Sequence, residues 1–158
     1  MRITYAPGPD AAYIYLTGEP LKPGRVSIPC GFPAGVFTQV VMDWKDGKIV
    51  GLEVLDASSL LHPDLLAQAD SQPVRIIYAP GPDAAYIYLT GEPLQPGRVT
   101  IHCDLPDEIP YEWVAMDWKD GKIVGLEVPD ASSLLHADLL AQAERPGTSQ
   151  EGASPPET

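Results

Sequence analysis

Apolar and polar positions alternate along much of the chain with a period of two, the pattern of strands that bury one face. Residues 2–5 and 12–16 read as a strand pair, with Ala12, Ile14 and Leu16 on one face and Tyr13, Tyr15 and Thr17 on the other. Pro7, Gly8, Pro9 and Asp10 supply the turn between them. Pro23-Gly24 suits a type II turn, and residues 26–28 make a third short strand. A second hairpin spans residues 40–54. A three-residue loop at 45–47, closed by a bulge, pairs Trp44 with Lys48 and puts Val40, Met42 and Trp44 on one face with Val50, Leu52 and Val54. A two-residue loop would instead set Asp43 among Val50 and Leu52, so the three-residue loop is expected. The period then becomes helical. Asp56 is expected to cap a helix whose apolar stripe is Leu60, Leu61, Leu65 and Leu66.

This whole pattern occurs twice. Residues 5–21 recur unchanged at 78–94, residues 42–54 at 116–128 and residues 56–62 at 130–136. A period of about seventy residues suits a small domain copied once rather than a solenoid unit. The expected division is repeat one at 1–69, a linker at 70–73, repeat two at 74–144 and a disordered tail at 145–158. Pro63 should interrupt the helix of repeat one, whereas Ala137 should let that of repeat two run on. The expected fold class is α+β: two homologous repeats, each a small antiparallel sheet of two hairpins plus a short strand with a C-terminal helix. Seventy residues alone bury a marginal core, so the repeats should pack as a pseudo-twofold dimer. The particle is then a monomer with pseudo-dimeric repeats or a homodimer.

The first repeat carries Tyr5 after an apolar position, then Asp10-Ala-Ala-Tyr-Ile-Tyr-Leu16, then a run from Asp43 to Ser58 containing Asp46-Gly47, Ile49-Val50-Gly51-Leu52-Glu53 and Ala57-Ser58. The same elements recur at Tyr78, 83–89 and 117–132. Each repeat resembles the small bacterial domain family of unknown function numbered 2283. The chain departs from that family at Ala6 and Ala79, where an acidic residue is usual, and in being tandem. The resemblance implies no catalytic residues. Some members resemble the smaller partner of two-gene toxin–antitoxin arrangements, which implies an antitoxin-like role.

Charge narrows the choice of partners. The formal net charge is −12, and the 10 Lys and Arg are scattered along the sequence, which argues against nucleic acid and against an anionic membrane surface. No apolar run is long enough for a membrane helix and no export leader is visible, so the cytoplasm is expected. Cys30 and Cys103 hold the same position in each repeat and are expected to be free thiols, a disulfide being possible only if the fold joins those positions. No metal or cofactor is expected. His62, His102 and His136 lack ligand spacing, and His62 and His136 are expected to decorate the helix surface. Strand neighbours His102 and Cys103 point to opposite faces and make no dyad.

Glu53 and Glu127 follow Gly-Leu on a strand and are weak candidates for acid–base chemistry, against the commoner case of a solvated carboxylate. In the expected register Glu53 lies opposite Gln39, about 13 Å along the strand from Asp43, which excludes a pair within one repeat. A Glu53–Glu127 pair across the axis stays open. Tyr15 and Tyr88, with Tyr13 and Tyr86, could line a pocket, although covering a sheet face is the more ordinary duty of such residues. The repeats differ most in one loop. Residues 31–39 carry no charge, whereas 104–113 carry Asp104, Asp107, Glu108 and Glu112 beside Tyr111 and Trp113. The expectation is a non-catalytic protein-binding module, antitoxin-like, that uses this loop on a basic protein. The alternative is a small-molecule binding protein or small cyclase-type enzyme, with its ligand between the repeats against Tyr15, Tyr88, Glu53 and Glu127.

Overall fold

The computed structural model describes residues 2–33, 40–67, 75–107, 109 and 113–145. The first half contains β1 (Arg2–Ala6), β2 (Ala11–Tyr15), β3 (Val26–Pro29), β4 (Val40–Lys45), β5 (Lys48–Leu55), α1 (Ala57–Leu60) and α2 (Pro63–Ala67). The second contains β6 (Ile76–Ala79), β7 (Ala84–Tyr88), β8 (Val99–Cys103), β9 (Val114–Lys119), β10 (Lys122–Pro129), α3 (Ala131–Leu134) and α4 (Ala137–Ala141). Each half is one antiparallel five-stranded sheet, ordered β1-β2-β5-β4-β3 and β6-β7-β10-β9-β8. Two hairpins pair through β2 and β5, and the short third strand closes the far edge. The molecule is an α+β fold of two similar halves.

The second hairpin departs from the expected register. Lys45 pairs with Lys48, so the loop is the two-residue Asp46-Gly47. Both residues have positive φ, 54° and 79°, as a type I′ turn requires. The extra residue sits further along β5. Trp44 pairs with Ile49 and Asp43 with Gly51, which leaves Val50 as a bulge. From there Met42 opposes Leu52 and Val40 opposes Val54, as apolar segregation demands. The second half repeats the shift between Ile123 and Gly125. A bulge within the ladder thus does the work expected of one at the turn.

The helices differ from expectation in two respects. Asp56 and Asp130 stand in left-handed backbone conformation and make no side-chain cap bond. The cap comes from the first turn instead. The Asp10 carboxylate accepts Ser58 N at 2.9 Å and Ser58 Oγ at 2.7 Å, and the Asp10 carbonyl accepts Ala57 N. Asp83 does the same for Ala131 and Ser132. The hydroxyls of Ser58 and then Tyr5 hold the Asp10 carboxyl below its ordinary value. Nor does Ala137 let the helix continue, because both halves bend to extended backbone at Leu61 and Leu135. Those two leucines are fully buried, so packing rather than Pro63 sets the break.

Alternate residues of both sheets form one core. Ile14, Met42, Trp44, Leu52 and Leu61 share a single buried cluster with Ile87, Met116, Trp118, Leu126 and Leu135. The halves also exchange matched polar contacts. Gly18 N donates to Asp138 Oδ2 and Gly91 N to Asp64 Oδ2, both at 2.8 Å. Lys48 Nζ donates to Ser133 O and Lys122 Nζ to Ser59 O, both at 3.0 Å. Paired contacts of equal length mark an approximate twofold relation. Arg145, expected to open the tail, packs on the Tyr78 ring at 4.9 Å. The linker 70–73 and residues 146–158 lie outside the described residues.

Candidate functional site

Alternation places Tyr13 and Tyr15 on the sheet face opposite the shared core, and there β2, β5, β4 and β3 build a polar network. Tyr13 crosses Gly51 to donate its hydroxyl to Asp43 Oδ2 at 2.8 Å. Ser27 Oγ donates to Asp43 Oδ1 at 2.6 Å, and Arg25 Nε stands 3.7 Å from Oδ2. Tyr86, Asp117, Thr100 and Arg98 repeat the arrangement. Both aspartates are buried, so each carboxylate takes its polar partners from these neighbours rather than from water. The sequence reading missed this network. Its signals were an aspartate inside the apolar run 40–44 and a glycine inside strand residues 49–54.

Burial, followed by the bond to Asp43, raises the Tyr13 phenol above its ordinary range; burial followed by the Asp117 charge raises Tyr86. A phenol raised in the fold stabilises it fully below the unfolded value near 10, and loses that contribution as pH climbs toward the folded value. Above pH 10 the protein should therefore destabilise, with Tyr13 and Tyr86 ionising last. Phenolate absorbance recorded beside circular dichroism checks this; early ionisation of all tyrosines with the fold intact would contradict it.

Two concave sites lie where the halves meet, and a third, lined by Arg2, Tyr15, Thr17 and Glu19, lies within the first half. One pocket of about 190 Å³ is walled by Thr17, Lys22, Arg25, Lys45, Lys48 and Val50 of the first half and His136 of the second, with Glu19 and Asp46 on its lining. Four of the ten basic residues thus stand around one cavity, which corrects the picture of scattered cations. Charges distant in sequence converge because the β2–β3 connection folds over the β4–β5 turn. The bulge turns Val50 into the same wall. The twofold counterpart, about 240 Å³, is lined by Thr90, Glu92, Gln95, Lys119, Asp120, Lys122 and Val124 with His62 from the first half. Here Gln95 replaces Lys22, and Arg98 is absent from the lining. His62 and His136 are half-buried at these walls, not surface decoration, and among the described residues their Nε2 atoms are buried with no hydrogen-bond partner.

The residues singled out from sequence fall elsewhere. Glu53 is exposed and pairs with Val41 and Tyr13, not Gln39, so it lies two strand positions from Asp43, nearer than expected. Glu127 is half-buried beside Ala115 and Tyr86. Tyr15 lies against the Tyr13 ring at 4.7 Å, under Arg2. Tyr88 packs with Tyr86 and Ile77 in a cluster apart from the shared core. These four line neither pocket described between the halves, and the apolar core occupies the space between the sheets. In the loop 104–113, Asp104 and Asp107 are exposed and the Trp113 ring stacks on His102 at 5.2 Å. Glu108, Tyr111 and Glu112 lie outside the described residues. Among the described residues no cluster of ligand-type side chains could hold a metal, and no helix is long and apolar enough to cross a membrane.

Residues 2–58 match the model of a family described as protein of unknown function (DUF2283). The matched segment covers the first sheet and the start of α1. No curated protein and no solved structure matches the chain.

Proposed function

We propose that this protein is a non-catalytic binding protein that takes a small anionic molecule at the junction of its two halves, in the pocket closed by His136. We read the second half as a further copy of the same family domain and place the chain in the cytoplasm. The observation that carries the reading is the convergence of Lys22, Arg25, Lys45 and Lys48 on one cavity of a chain with net charge −12. The overall field repels anions, so only a local excess of cations could retain one. A unit charge 4 Å from an ammonium gains about 4 kcal/mol at an effective dielectric of 20. Asp43 faces Arg25 and Asp46 faces Lys45, so Lys22 and Lys48 carry the excess of positive charge over Glu19 on the lining. His136 closes the pocket from the second half, so the site exists only while the halves are together.

A protein partner is the second reading, and it rests on the exposed carboxylates of Asp104 and Asp107. It is weakened by Trp113, whose ring is already engaged by His102.

Titration calorimetry with inorganic phosphate and small carboxylates tests the anion reading. Lys22→Gln and Lys48→Gln should each weaken binding about fivefold to tenfold, since each removes a cation from the wall. Lys22→Gln also gives the first pocket the residue that the second already has, Gln95. Binding unchanged in both variants, or none in the unaltered protein, would remove the reading.

A further inference from the structure

Cys30 follows the last residue of β3 and Cys103 ends β8, so each closes the edge strand of its own sheet. Both edges meet at the approximate twofold axis. A Cβ added to Gly31 would stand 3.0 Å from Ile101 Cγ2 and 3.9 Å from the His102 carbonyl oxygen, a close approach that the bare glycine permits. It places the two free thiols side by side, each almost fully buried in the shared core cluster. The pair stands one residue below the surface, since Gly31, His102 and Asp104 beside it are exposed.

We propose that Cys30 and Cys103 form an intramolecular disulfide under oxidising conditions, a covalent staple joining the two halves across their axis. The co-reactant is a small disulfide of the oxidised glutathione class. One thiol, as thiolate, attacks the reagent, giving a mixed disulfide and releasing one glutathione thiol. The second thiolate then attacks the protein sulfur and releases the other. One S–S bond breaks and one forms, and the two protein S–H groups give up two electrons and two protons. The contact with Cys103, followed by burial, pushes the Cys30 thiol well above its ordinary value. Little thiolate is therefore present in the fold, so the exchange is slow and the staple responds to sustained rather than brief oxidation. Neither pocket between the halves contains a cysteine, so the linked protein keeps its anion site.

The link closes a loop of roughly seventy residues and removes that entropy from the unfolded chain. The test treats the full chain with oxidised glutathione, once while folded and once during refolding from denaturant, where access does not limit reaction. The expected product in both arms is a monomer lighter by two hydrogens, whose non-reduced peptide map joins Cys30 to Cys103. Its melting temperature should rise by about 10 °C and fall back on reduction. In Cys30→Ala and Cys103→Ala, oxidant should give no internal link and no such rise. A refolded wild-type chain that carries two glutathione adducts, two free thiols or links between chains would overturn the proposal. So would a linked chain that melts no higher than the reduced one.

Discussion

Gly125→Ala is expected to lower the stability of the protein by about 3 kcal/mol, a fall in melting temperature of roughly 9 °C. A Cβ at that position would run into the Tyr86 hydroxyl oxygen and its ring carbons, and Tyr86 is fully buried. The ring must leave its place across the strand. Asp117, 3% exposed, then loses the hydroxyl that donates to Oδ2 and, among the described side chains, is left with Thr100 and a long approach from Arg98. A buried carboxylate stripped of a donor costs more than the bond contributed. The duplication supplies its own control. Gly51→Ala meets Tyr13 as closely, but Tyr13 is only half-buried and has solvent to turn into, so the loss there should be clearly smaller. Chemical denaturation of both variants checks the ordering. A Gly125→Ala protein within about 0.5 kcal/mol of wild type, the range of an ordinary surface change, would show that the crossing contributes little.

Separating the halves should have the other large effect. A polypeptide of residues 2–67 is expected to show no cooperative monomeric unfolding transition, and to regain structure only by pairing with itself or with residues 75–145. Its sheet would lose part of the cover over Ile14, Met42, Trp44, Leu52 and Leu61, now buried in a cluster that the opposite half completes. A unit of this size is marginal even with its core complete. The helix ends would lose Gly18–Asp138, Gly91–Asp64 and the two lysine bonds as well. Sedimentation with concentration-dependent melting measures this. A monomeric fragment melting cooperatively would mean that each sheet carries a sufficient core by itself.

Much of the architecture was legible because strand alternation is a local signal. Ala12, Ile14 and Leu16 are buried and the tyrosines between them face away, as a period of two requires. The turn at Pro23-Gly24 was equally readable, with Gly24 at φ 86°. At Asp46-Gly47 the dipeptide favours the type I′ turn that forms, whereas the alternation of apolar positions points to a longer loop. A three-residue loop follows only from a ladder unbroken from the turn, and the bulge at Val50 breaks it. Helix capping failed for another reason. Asp56 adjoins the helix in sequence, but Asp10 reaches it from another hairpin, and no one-dimensional pattern records a cap that arrives from 48 residues away.

The repetition, the strand content, the alternation that commits one face of each sheet to a core, and the matching placement of Cys30 and Cys103 are all written in the linear order of residues. These are properties of neighbours, carried by side-chain period and backbone preference. What meets across the twofold axis emerges on folding: the thiols, the exchanged Asp64 and Asp138 bonds, and the gathering of Lys22, Arg25, Lys45 and Lys48 opposite His136. The physical reason is that charge and hydrogen-bonding groups act through distance in space. Residues 22 and 136 acquire a common pocket only once two apolar faces have closed against each other.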